Sequence, residues 1–171
     1  MIDTDKRKRD ILAGIVFVSL VGTLSHFFYQ LSGDCPLVGL FSPVGESTWE
    51  HVKLLFFPML FYSLWMSARL QRTDPDAPIF AALAIGNLAG CALIPILFYT
   101  YTGILGFHLL SLDILTFFIG VLAAFYLAFR LAADERLKKY EPLLAASLLL
   151  LTLLFFLFTY YPPGIGLFAE P

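Results

Sequence analysis

Charge is scarce in this sequence. Asp, Glu, Lys and Arg make up 14% of its 171 residues, against roughly a quarter in an ordinary soluble domain. So few charges cannot cover a chain of 59% hydrophobic composition and mean hydropathy +0.82 with polar surface. A bilayer is therefore the expected solvent. The net charge of −2 gives no bulk attraction to nucleic acid, which is excluded as a partner. Cysteine is scarcer still. Cys35 and Cys91 are too few for a disulfide framework, and they are not expected to pair. Low-complexity tracts and internal repeats are lacking too, so nothing points to a duplicated transporter.

What is present is apolar runs of spanning length. A helix needs roughly 20 apolar residues to cross the hydrocarbon core. Residues 11–31, 52–70, 79–100, 111–131 and 142–161 satisfy this, and Pro142 suits a helix start. Lipid offers no partners to free backbone groups, so each run should be helical. The predicted fold class is all-α: one membrane domain over residues 1–171, an integral bundle of five transmembrane helices.

The basic residues give the thread a polarity. Lys6, Arg7, Lys8 and Arg9 precede the first run, and Arg69 and Arg72 lie between the second and third. Arg130, Arg136, Lys138 and Lys139 lie between the fourth and fifth. Five alternating spans put ten of the eleven Lys and Arg on one side, leaving only Lys53 on the other. The positive-inside rule makes the first side cytoplasmic, with the N-terminus inside and the C-terminus outside. The first run is too long for a signal peptide and no small-x-small site follows it cleanly. Asp34 separates Gly33 from Cys35, so no lipobox is formed.

The bundle should be compact. Gly86 and Gly90, Gly120 and Ala124, and Gly14, Val18 and Gly22 are small residues spaced for close helix approach. Pro58 and Pro95 interrupt the second and third spans and are expected to kink them. The inner loops are short, Thr73–Pro78 and Asp134–Glu141. The outer segment Ser32–His51 is long, rich in Gly and Pro, yet still apolar, and is expected to pack on the bundle or dip into the interface. Tyr99, Tyr101, Trp49, Tyr160 and Tyr161 suit an interfacial aromatic belt.

The segment Pro43-Val44-Gly45-Glu46-Ser47-Thr48-Trp49-Glu50-His51-Val52-Lys53 is the exception to this apolar background. Ser47 and Glu50 have the spacing of a capping box, a purely structural role. Glu50 and Lys53 are spaced for an exposed ion pair worth tenths of a kcal/mol. The cap leaves Glu46 and His51 unexplained. Were the helix to begin slightly earlier, Glu46 and Glu50 would share a face, with His51 about 100° round. Such a set could ligate a divalent metal or act as an acid/base pair. Gly22, Ser25, His26 and Tyr29 form one stripe near the outer end of the first span, His108 precedes the fourth span, and Asp113 lies in its first turn. All three histidines thus map to the outer half. Ionisable groups at membrane depth mark functional sites by default. Asn87 and Thr116 are possible supporting partners.

The stretch from His26 to Pro58 resembles an uncharacterised bacterial family of small multi-pass membrane proteins. Its signature reads Pro-Val-Asn-Glu-Ser-x-Trp-Glu-His-x-Lys, after a His-Phe-x-Tyr-like element. Here the first is Pro43–Lys53, with Gly45 in place of the Asn, and the second is His26-Phe27-Phe28-Tyr29. The match covers about a fifth of the chain. The resemblance implies no activity; it implies that Glu46, Trp49, Glu50, His51 and Lys53 belong together, and it points to a bacterial plasma membrane.

Three functions fit these residues. The first is a metal-dependent hydrolase at the outer leaflet, acting on a lipid or lipid-linked substrate. His26, Glu46, His51, His108 and Asp113 are the candidate ligands, zinc suits the mixed nitrogen and oxygen set, and Glu50, Glu46 and Lys53 are the candidate catalytic groups. The second is a proton- or cation-coupled transporter or channel, which would need polar residues across the whole bilayer. The inner halves offer only Ser19, Ser63, Ser67 and Ser147, so a pore would need a homo-oligomer. The third is a non-catalytic binding or assembly protein in which the motif is a rigid cap. Membrane lipid is the expected partner in each.

Overall fold

The computed structural model describes residues 4–70, 74 and 77–170. Among the described residues there is no strand. Five long helices, α1 (Thr4–Ser25), α4 (Thr48–Leu70), α5 (Ile79–Leu105), α6 (Leu110–Leu131) and α7 (Glu141–Tyr160), account for most of the chain. Two short helices, α2 (Phe28–Leu31) and α3 (Pro36–Gly39), lie between α1 and α4. The expected spans therefore coincide with helices except at the first, which breaks at His26 and Phe27. There Ser25 Oγ donates back to Gly22 O at 2.8 Å and Phe27 N tightens onto Leu24 O, so the ladder ends. Arg72 and half of the Thr73–Pro78 loop fall outside the described residues.

Close contacts fix how the long helices run. Arg69 near the end of α4 pairs with Asp10 in α1, while a Cβ on Gly22 would strike Leu54 O, so α1 and α4 are antiparallel. Gly86 and Gly90 of α5 lie against Ala124 and Gly120 of α6, again antiparallel. Phe155 of α7 packs on Phe56 and Phe57 of α4. The small residues expected to permit close approach thus do so. At Gly86 the neighbour is a backbone carbonyl, which leaves no room for a side chain.

Helix α4 is the central element. Leu55, Phe56, Phe57 and Met59 are buried, together with Val18, Val121, Ala124 and Phe125 from its neighbours. Pro58 is accommodated without ending the helix, which continues to Leu70. The opposite pattern holds on α7, where Leu143, Leu149, Leu150, Leu153 and Leu157 are all exposed. An apolar face of that size has no reason to point at water.

Three helical segments, Ile79–Leu105, Leu110–Leu131 and Glu135–Tyr160, are long and apolar enough to cross a membrane. Helices α1 and α4 have 22 and 23 residues but do not join that set. Lys6 to Asp10 load the first turns of α1 with charge, and in α4 His51, Lys53, Pro58, Tyr62 and Trp65 lower the mean hydropathy. The expectation of five spans is thus met by three on length and composition.

Candidate metal site

His26, Glu46 and His51 come together at one end of the bundle. One ligand atom from each lies within 4.8 Å of the others. Each arrives by a different route. His26 stands at the break between α1 and α2, Glu46 in the loop before α4, and His51 in the first turn of α4. The loop is shaped by Gly33 and Asp34, at φ 69° and 59°. Left-handed backbone favours Gly and is tolerated by Asp. Pro36 then opens α3, where its missing N–H costs nothing.

The geometry defines which ring nitrogen His51 offers. Its Nδ1 lies 3.0 Å from Ser47 O, and a carbonyl can only accept. Nδ1 therefore carries the proton, and in the neutral ring Nε2 presents a lone pair. That Nε2 faces Glu46 Oε2 at 3.4 Å, while His26 Nε2 lies 3.8 Å from Oε1. The two imidazoles stack with centroids 5.4 Å apart and planes 26° from parallel. The His51 lone pair facing a carboxylate at this range repels it unless a proton or a cation lies between them. The site is open: the Glu46 side chain is 60% exposed and the imidazoles about a third.

Glu50 points the other way. Its Oε2 accepts from Val44 N and from Lys53 Nζ, both at 2.8 Å. Lys53 is 0% exposed and its ammonium also donates to Gly39 O at 3.0 Å and Thr159 Oγ1 at 2.5 Å. All three protons of the ammonium are therefore satisfied, which makes a buried charge tolerable. The exposed pair expected for Glu50 and Lys53 is in fact buried, because the 36–44 segment and α7 close over it. The capping box is half present. Glu50 N donates to Ser47 Oγ at 3.3 Å, but the carboxylate reaches Val44 N rather than the cap residue's own amide. Because α4 starts at Thr48, Glu46 and Glu50 do not share a helix face; the first serves the exposed cluster and the second the buried lock.

His108 and Asp113 form a group of their own. His108 Nδ1 lies 3.2 Å from Asp113 Oδ2, and Tyr101 hydrogen-bonds the other oxygen. Leu109 N donates to Tyr101 Oη, so this group clasps the turn between α5 and α6. The His26 cluster does not include either residue. Of the expected supporting residues, Asn87 donates to Phe56 O deep in the core and Thr116 back-bonds to Asp113 O.

The C-terminal tail is a contributor that composition and spacing did not reveal. Trp49 packs against Phe155, Phe158 and, from the tail, Phe168, with centroids 4.5, 5.8 and 5.0 Å away. Tyr99 Oη donates to Gly166 O at 2.9 Å. Glu170 extends beside Gly45, where a Cβ would lie 2.8 Å from its Oε1. The space that a side chain at position 45 would take is held by the tail. Thr159, the penultimate residue of α7, is a second such contributor; Ser147 and Thr152 in the same helix make its hydroxyl unremarkable in the sequence.

No curated protein matches the chain, and no solved structure does. A family model does, over residues 1–171, in agreement with the expectation of an uncharacterised family. A helical chain with membrane-length segments and a clustered His26, Glu46 and His51, this protein belongs to a family of unknown function, DUF6512.

Proposed function

We propose that this protein threads the membrane five times, N-terminus inside, and uses His26, Glu46 and His51 to bind a divalent metal, zinc first, for hydrolysis of a lipid or lipid-linked substrate at the outer face. The observation that carries the reading is the pair of imidazole nitrogens facing one carboxylate. Two His and one Glu with an exposed fourth direction match the ligand set of catalytic zinc, whose open position holds water. An ion held by these three residues would supply Lewis-acid activation of a water in the open position. His51 is already oriented by the Ser47 carbonyl, the usual supporting arrangement for a metal-bound imidazole. Glu50 is committed to Lys53, Val44 and Thr159, so the carboxylate left to the metal site is Glu46, as a ligand.

The buried middle of the bundle favours this reading over transport. Ser63 and Asn87 are the polar groups there, and both hydrogen-bond to backbone carbonyls in their own packing environment. Leu55, Phe56 and Met59 fill the rest. No polar path joins the two ends among the described residues.

The test is elemental analysis of purified protein. One zinc per chain is expected, lost in His51→Ala and in Glu46→Gln. Protein that folds normally and takes up no metal at micromolar zinc sinks the proposal.

A further inference from the structure

The end of the bundle that carries the cluster has an unusual charge. Its three connecting segments, residues 26–47, 99–112 and 160–171, contain no Lys or Arg at all. The same end holds Asp34, Glu46, Asp113 and Glu170. Asp34, Glu46 and Glu170 are exposed, and Asp113 is half-buried. Among the described residues the one Lys or Arg there is Lys53, and its three protons are already given to Gly39 O, Glu50 and Thr159. Any anion reaching the cluster would find carboxylates and no free ammonium or guanidinium.

Enzymes that act on phosphoryl groups surround the phosphate oxygens with Arg, Lys or further metal ions. A single divalent ion, partly neutralised by Glu46, cannot do this where no free cation stands beside it. A carboxylic ester or amide makes no such demand. Its carbonyl is uncharged in the ground state, and only one oxygen becomes negative as the reaction proceeds. The approach to the cluster is also apolar. Phe27 stands edge-on to His26 at 5.2 Å, and Phe27, Phe28 and Leu31 are exposed beside it. That is a surface for an acyl chain.

We infer that the substrate is a lipid ester or amide cleaved at its acyl carbonyl, and not a phosphoester or a lipid diphosphate. The inference rests on the hydrolase reading above. In the ester case the water oxygen bonds to the acyl carbon and the acyl–oxygen bond breaks. One water proton leaves with the alcohol and the other is released from the new carboxylic acid.

The experiment uses zinc-loaded full-length protein in detergent micelles, with His51→Ala as the control. Dioctanoylglycerol and farnesyl diphosphate are offered separately. Octanoate release that is lost in His51→Ala, with no phosphate release above that control, is the expected result. Phosphate release dependent on His51 overturns the inference, and without octanoate it leaves the hydrolase reading standing. Neither product from protein that holds its zinc overturns the hydrolase reading and this inference together, leaving a metal site of another purpose.

Discussion

Lys53 survives in the core because every proton it carries has an acceptor. Replacing it with Met removes the ammonium and leaves the buried Glu50 carboxylate with no cation, only the Val44 N–H and the Thr159 hydroxyl. Breaking one side of such a pair costs about 3–5 kcal/mol. Lys53→Met is therefore expected to lower thermal stability in detergent sharply. Lys53→Met combined with Glu50→Leu should recover much of the loss, measured as a double-mutant cycle. An additive cycle means the pair does not interact. The metal cluster responds differently. Imidazole must be neutral to ligate, so zinc occupancy should fall as the pH is lowered. Dialysis at a series of pH values, followed by elemental analysis, reads this directly. Glu46, Glu50, His51 and Lys53 could be recognised in the sequence as one unit because polar residues stand out in an apolar chain. Their division into an exposed site and a buried lock could not, because it depends on Gly39 and Thr159, which are remote in sequence.

At the scale of elements, helix contacts are decided by what a glycine leaves out. A Cβ on Gly86 would meet the Ala124 carbonyl, and backbone cannot swing aside. Gly86→Ala is expected to cost about 1–3 kcal/mol, as overpacking does. Gly103 lies in the same helix with nothing within 4 Å, so Gly103→Ala should be neutral or stabilising by up to about 1 kcal/mol. Thermal unfolding of the two variants side by side checks the contrast; equal effects would mean that α5 and α6 do not pack this way. The positions of the long helices could be read from apolar length alone. The break at His26 could not, since Ser25 and Gly22 are compatible with continued helix; what ends it is the back-bond from Ser25 and the turn that brings His26 to His51. Helix α4 reads as less apolar than α5, α6 and α7, yet its residues from Val52 to Met59 are buried in the bundle.

For the whole molecule, the proposed five-span thread places the two ends of the chain on opposite sides. With Cys35 and Cys91 replaced by Ala, Asp5→Cys and Glu170→Cys test this in sealed vesicles of known orientation. An impermeant maleimide should label one and spare the other; labelling of both from the same side removes the odd number of crossings. The charge asymmetry that predicts this polarity is visible in the sequence. The return of the tail over the motif is not, because Phe168 and Glu170 reach Trp49 and Gly45 across more than a hundred residues of intervening chain.

The bond between Lys53 and Thr159 also sets an order of events. The two residues are 106 apart in sequence. During synthesis the Lys53–Glu50 pair is made long before α7 exists to complete it. Until the last long helix arrives, the ammonium lacks its Thr159 acceptor. The segment from Gly45 to Lys53 thus gains its last contacts only once Thr159, Phe168 and Glu170 have been made. A chain stopped before α7 would carry the Lys53 ammonium one acceptor short and be recognisable by that unshielded charge.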